Sequence, residues 1–332
     1  MIDGAEIAEV QASQEKTPQA EITDQEVVRQ NVAFWENKYF PTGDQVLKKG
    51  QEMLQYYRFA VTKSSWGVYC HLDGSSFRQK AQGMARLEER VAQAVGIFPN
   101  RKFEILMAPY QTYCPRGGGT DSSGDRIILD ASSPDTGRVF VHERIHSLLE
   151  QAYGFSPVAD LTEGAAMYFS RKVFPLDPRN DYESYPTKFG HQDFYEDLVD
   201  QKNPMGISHT AHLDRVKAPL GIPAYEYSYV FGGFLAKYIT EKYGQEKYLE
   251  FYKKTCQPNL FSTDSGRKLI ANHQLCPGVK NREVIYQALK SVGLDPVLCD
   301  NEFSKMVHQI AESKSNSVYK RIRNFMKAGN RA

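Results

Sequence analysis

The chain has 332 residues, 41 of them Lys or Arg and 40 Asp or Glu, for a formal net charge of +1. So even a balance offers no global field to recruit nucleic acid or an acidic membrane surface, and no apolar run approaches the roughly 20 residues of a membrane-spanning helix. With 41% hydrophobic residues, the length suffices for one large domain or two small ones around a buried core, so partners have to be argued from a site.

Residues 1–25, rich in Glu, Gln and Ala, read as a disordered leader, because they hold too little apolar surface to offset the entropy of ordering. Such a leader suits a chain whose export signal has been removed, and export is the expectation. Residues 26–98 read as an N-terminal helical unit. Val27, Val28, Val32, Phe34 and Trp35 have helical spacing, Pro41-Thr42-Gly43 breaks it, and Val46, Leu47, Met53, Leu54 and Tyr57 resume it. A second stripe of Met84, Leu87, Val91 and Val95 marks a helix over 76–96.

The texture changes at Pro99. KFEILMAP (102–109) and RIILD (126–130) are strand candidates, with RGGGTDSSGD (116–125) as a long flexible loop between them. Pro134 and Asp135 open a helix that stops at Gly154, and DLTEGAAMYFSRKVF (160–174) opens another. The aromatic, Pro-rich segment from Pro175 to about Ala224 reads as a loop layer over a cleft. Helical spacing then returns from Tyr225 and carries through to EFSKMVHQIAES (302–313), ahead of a basic tail over 313–332 that reads as a solvated helical end. The expected fold class is α+β, mainly helical. The five cysteines, Cys70, Cys114, Cys256, Cys276 and Cys299, lack the CxxC spacing of a zinc ribbon or redox pair and leave room for one or two disulfides.

One stretch carries chemistry. In VFVHERIHSLLEQ (139–151), His142 and His146 lie four apart on one helix face, about 6 Å along the axis, so that two imidazoles can converge on a single ion. Glu143 points about 100° away from His142, outside the ion's coordination but within reach of a water, which is where a general base belongs. The bland reading is a solvated helix face carrying two histidines. A hydrolytic metal site takes three protein ligands and keeps a position for water. Glu163 is the candidate third ligand, at the start of the next helix, with Gly164 beside it to let the two backbones approach. The same residue fits a capping box with Asp160, in which it would bond the Asp160 amide. Glu150, His209 and His212 are less favourably placed.

HERIH followed by LTEGAAMYFS resembles the gluzincin zinc metallopeptidases, in which HExxH precedes a helix bearing a Glu ligand in an N-E-G or T-E-G context. YVFGGFLAKYITEKYGQEKYLEFYKK, with its Tyr243-Gly244 pair, and YQALKSVGLDPVLCDNEFSKMV are similar to the closing helices of the aminopeptidase-N-like members and their small relatives. The resemblance covers about residues 100–310 and implies a zincin-like catalytic domain over 99–312. It further implies Zn2+ held by His142, His146 and Glu163, Glu143 as the base, and Tyr229 as donor to the oxyanion, with Tyr225 and Tyr227 as alternative donors.

A peptide or protein substrate is then expected, and RIILD could add it to the sheet edge as an extra strand. No G-x-M-E-N-like stretch precedes the zinc helix, and Asp121 and Asp125 do not reproduce one, so an endopeptidase is expected rather than an aminopeptidase. Two alternatives stand beside it: a non-catalytic zincin-like module that binds a partner through residues 175–225, and a zinc hydrolase of a non-peptide substrate. Cys114, in the loop, is either a thiolate near the metal or a buried or disulfide-bonded side chain.

Overall fold

The computed structural model describes residues 23–39, 56–108, 118–121, 123–156, 158–175, 224–256, 278–307, 309, 310 and 313. Residues 1–22 of the expected leader, the helical spacing expected over 46–55, residues 176–223 of the aromatic layer with His209 and His212, Cys114, Cys276 and the tail beyond 313 lie outside them. The remainder is an α+β arrangement, mainly helical around a small mixed sheet.

In chain order the elements are α1 (Asp24–Tyr39), β1 (Phe59–Lys63), β2 (Gly67–Leu72), α2 (Ser75–Val95), β3 (Phe103–Ala108), β4 (Gly118–Thr120) and β5 (Arg126–Asp130). Then follow α3 (Thr136–Tyr153), α4 (Ala159–Val173), α5 (Ala224–Tyr243), α6 (Gln245–Thr255), α7 (Gly278–Ser291) and a helical segment α8 over 296–307. The sheet runs β1-β2-β3-β5-β4, with β2, β3 and β5 parallel and the two outer strands antiparallel to their neighbours.

The two-residue period of a strand sorts its side chains between two layers. Cys70, Leu106, Ala108 and Ile128 face α1, where Val28, Val32 and Trp35 cover them. Tyr69, Ile105, Met107, Ile127 and Leu129 face the larger core built by α2, α3 and the C-terminal helices. Residues 26–98 are therefore not a separate helical unit. FAVTK and GVYCHL are a hairpin turned at Ser64, whose Oγ accepts from the Gly67 amide at 2.8 Å and the Trp66 amide at 3.2 Å, and this hairpin extends the sheet through β2.

RIILD is likewise not the edge strand. Its Ile127, Ile128 and Leu129 are buried to both sides, as an internal parallel strand requires. Among the described residues the edge next to it is β4, Gly118-Gly119-Thr120, drawn from the stretch expected as a loop. A three-residue glycine-rich strand has no propensity signal of its own; its pairing with β5 makes it one.

Candidate metal centre

The helix α3 is held at a fixed rotation by what lies behind it. Arg144, about 200° round the helix from His142, is 1% exposed, stacks 3.8 Å over the Phe103 ring and donates to Ser147 Oγ at 2.5 Å. Ser147 in turn donates to the Gly124 carbonyl, and Gln151 donates to the same oxygen at 3.0 Å. Beneath Arg144, the Glu88 carboxyl accepts from Ser64 at 2.8 Å and from Tyr69. Burial pushes the Glu88 carboxyl up and the Arg144 guanidinium down to about 10. A helix anchored by buried polar groups on one face cannot roll freely, so the opposite face is presented in one orientation.

That opposite face carries His142 and His146, and α4 brings Glu163 against them. His142 Nε2 lies 3.0 Å from Glu163 Oε2 and 3.2 Å from His146 Nε2, and His146 Nε2 lies 3.3 Å from Glu163 Oε2. Among the described residues, this is the group of His, Cys, Asp and Glu whose ligand atoms could hold a metal ion. The capping alternative for Glu163 fails, because α4 starts at Ala159 with Val158 at the N-cap, which leaves Asp160 inside the helix. Glu150 stays on the helix below, outside the ligand group.

Burial alone would depress the His146 imidazole, but the Glu163 carboxylate outweighs it and holds His146 above the ordinary imidazole range. Desolvation in the same way would raise the Glu163 carboxyl, and the His146 and His142 rings outweigh it and hold Glu163 below the usual carboxylate range. Both directions say that three convergent atoms favour a positive charge between them, whether a proton or a metal cation supplies it.

Glu143 faces the same cleft and is clamped from the edge strand. Thr120 Oγ1 lies 2.8 Å from Glu143 Oε2 and 2.9 Å from the Glu143 carbonyl, so its single proton can be given to either. Glycine is required where β4 lies across α3: a Cβ on Gly118 would sit 2.5 Å from Val139 Cγ1 and 3.1 Å from Glu143 Cγ. Thr120 and Gly118 were passed over as loop in the sequence; only the register of β4 on β5 shows what they touch.

The close approach expected of Gly164 exists, but with a different helix. A Cβ there would lie 2.1 Å from the Gly232 carbonyl carbon, so α4 crosses α5 rather than α3 at a glycine pair. This crossing sets Glu163, next to Gly164, beside Tyr229, one turn before Gly232. The Tyr229 ring centroid is 5.7 Å from that of His142, and Tyr229 lines the cleft. The side chains of Tyr225 and Tyr227 lie outside the described residues.

Asp121 and Asp125 do not line the cleft. Asp121 Oδ1 accepts the Arg126 amide at 2.9 Å, and Asp125 pairs with Arg101 at 2.7 Å. Cys70, Cys256 and Cys299 are free thiols, so none forms a disulfide. The cleft itself has a volume of about 420 Å³ and runs along α3 between β4 on one side and Glu163 and Tyr229 on the other. No protein-family model matches the chain, and no curated protein matches it. Among the described residues, no helix is long and apolar enough to cross a membrane.

Proposed function

We propose that the chain is a zinc-dependent peptidase with a zincin-like catalytic domain, as its resemblance to the gluzincins implies. The observation that carries the reading is the convergence of His142 Nε2, His146 Nε2 and Glu163 Oε2 at 3.0–3.3 Å. A tetrahedron of bonds of about 2.0 Å, the length zinc makes to nitrogen and oxygen, has edges of about 3.3 Å, with the fourth corner left for water or substrate. Two neutral nitrogens and one carboxylate are a zinc donor set, and oxygen-only cations such as calcium would reject the imidazoles.

Zinc, when bound, acidifies water and polarises a carbonyl. The chain's own residues supply the rest. Glu143, held by Thr120, takes the proton of the attacking water and passes it to the leaving amine. Tyr229, across the cleft beside His142, donates its hydroxyl to the oxyanion. An extended peptide would align with the outer edge of β4, the last strand of the sheet on the cleft side, and an endopeptidase suits a cleft edged by a strand.

The test is zinc per chain by elemental analysis for the natural protein, Glu163→Ala and Glu143→Gln, with cleavage of a peptide library scored in parallel. The expected result is about one zinc in the natural chain and in Glu143→Gln, a large loss in Glu163→Ala, and cleavage by the natural chain alone. A natural chain that takes up no zinc from a supplemented buffer would return HERIH to an ordinary helix face. Zinc without cleavage would favour the binding module.

A further inference from the structure

We propose that Arg138 selects substrates of this cleft by gripping a carboxylate about two residues from the reacting carbonyl. The inference rests on the peptidase reading and adds to it the chemical class of substrate. Arg138 stands one helical turn before His142 on α3 and lines the same cleft as His142, Glu143 and Tyr229. Its side chain is half-buried, yet its Nε is shut from solvent with no acceptor, and among the described residues the guanidinium makes no ion pair. Other sheltered arginines have partners: Arg126 pairs with Glu104 at 3.3 Å, and Arg144, one of whose terminal nitrogens is likewise buried without an acceptor, donates to Ser147 through the other and stacks on Phe103.

Its position makes the lack more telling. The first turn of α3 contains no acidic residue. A cation in the first turn meets the positive end of the helix dipole, so the backbone opposes it too. A half-desolvated guanidinium without an ion pair among the described residues is costly in the free chain, and an anion entering the cleft offsets that cost. Arginine presents a planar fork of N–H donors that matches a carboxylate with two parallel hydrogen bonds.

Four residues of helix separate Arg138 from His142, about 6 Å along the axis. An extended peptide advances about 3.3 Å per residue, which sets the carboxylate about two residues from the carbonyl at the metal centre. Two sources present that group: an Asp or Glu side chain within a longer peptide, and the free C-terminus of a short one.

The experiment measures binding, not turnover. The full chain carrying Glu143→Gln is titrated, with zinc and again with a chelator present, against N-acetylated alanine tetrapeptides. The peptides differ only in Glu against Gln and in a free against an amidated C-terminus. We expect the acid of a pair to bind about tenfold more tightly than its amide in both conditions. Arg138→Gln should bring that ratio to about one, and Arg138→Lys should keep part of it, because a point charge remains without the fork. The pair that shows the ratio identifies the source of the carboxylate.

Equal binding of acid and amide, no binding at millimolar concentration, or a preference that survives in Arg138→Gln with an unchanged melting temperature each overturn the inference. Its failure is distinct from that of the peptidase reading: zinc binding and cleavage without acid preference sinks this proposal alone. An Arg138-dependent preference in a chain that takes up no zinc leaves the carboxylate site and removes the catalysis.

Discussion

Adding a single methyl group at Gly164 tests whether the crossing of α4 and α5 sets the metal centre. A Cβ there would sit 2.1 Å from the Gly232 carbonyl carbon and 2.2 Å from its Cα, whereas ordinary contact begins at 3.4 Å. The obstacle is backbone, which has no rotamer to escape into, so the helices must part by about 1.3 Å. Glu163 is the adjacent residue, and its Oε2 now lies 3.0 Å and 3.3 Å from the two imidazoles. A metal bond tolerates about 0.2 Å, so even a third of the displacement would take the carboxylate out of reach of an ion held by the two imidazoles. Gly164→Ala should weaken zinc binding on the order of a hundredfold and, as overpacking of a core contact, lower stability by about 1–3 kcal/mol. Competition against a chromophoric chelator reads the first and thermal unfolding the second. Gly137→Ala is the control: it lies in the first turn of α3 with nothing within 4 Å of the new Cβ, so zinc binding should hold and stability should rise by up to about 1 kcal/mol. Natural zinc affinity and an unchanged melting temperature in Gly164→Ala would refute the idea that helix spacing sets the ligands.

Thr120→Val removes the hydroxyl that holds Glu143 while leaving the branched strand side chain. Zinc content should stay at the natural level and kcat should fall roughly tenfold or more with KM little changed, and Thr120→Ser should recover most of the loss; a change confined to KM would make Thr120 a substrate contact instead. Cys70 and Cys256 are both pushed up by burial from 9 to about 12. A raised thiol value means less thiolate at a given pH, so in a chain with Cys114, Cys276 and Cys299 replaced by Ser these two thiols should react with a disulfide reagent at pH 8 about a thousandfold more slowly than after unfolding. Their rate should climb tenfold per pH unit without levelling until the chain unfolds. A plateau near pH 9 in folded protein would show that both thiols are solvated.

The helices of the site were legible because their periodicity is long and strong. The spans expected at 76–96, from Asp135 to Gly154 and over 160–174 lie within a residue or so of α2, α3 and α4, KFEILMAP contains β3 and RIILD is β5. The hairpin at 59–72 was read through because its alternation, FAVTK then GVYCHL, is short and interrupted by Ser64-Ser65-Trp66, while helical stripes flank it on both sides. The edge strand was misassigned for a different reason. Whether a strand is internal depends on which neighbours cover its two faces, and nothing local to RIILD says that Gly118–Thr120 lies beyond it.

The chemistry divides along the same line. That His142, Glu143 and His146 share a helix face follows from 3.6 residues per turn, and the amino-acid sequence alone determined it. Glu163 as a partner for them was a choice between two roles in the sequence; the start of α4 at Ala159 and the crossing at Gly164 and Gly232 decided it. Thr120 on Glu143, Arg138 Nε buried without an acceptor among the described residues and Arg144 locking the helix from behind belong wholly to the tertiary structure. Helical periodicity is carried by neighbours a few residues away and is written in the chain. Contacts between β4 and α3, or between α4 and α5, join residues 23 and 68 positions apart, and only the packing of the whole core determines which of them meet.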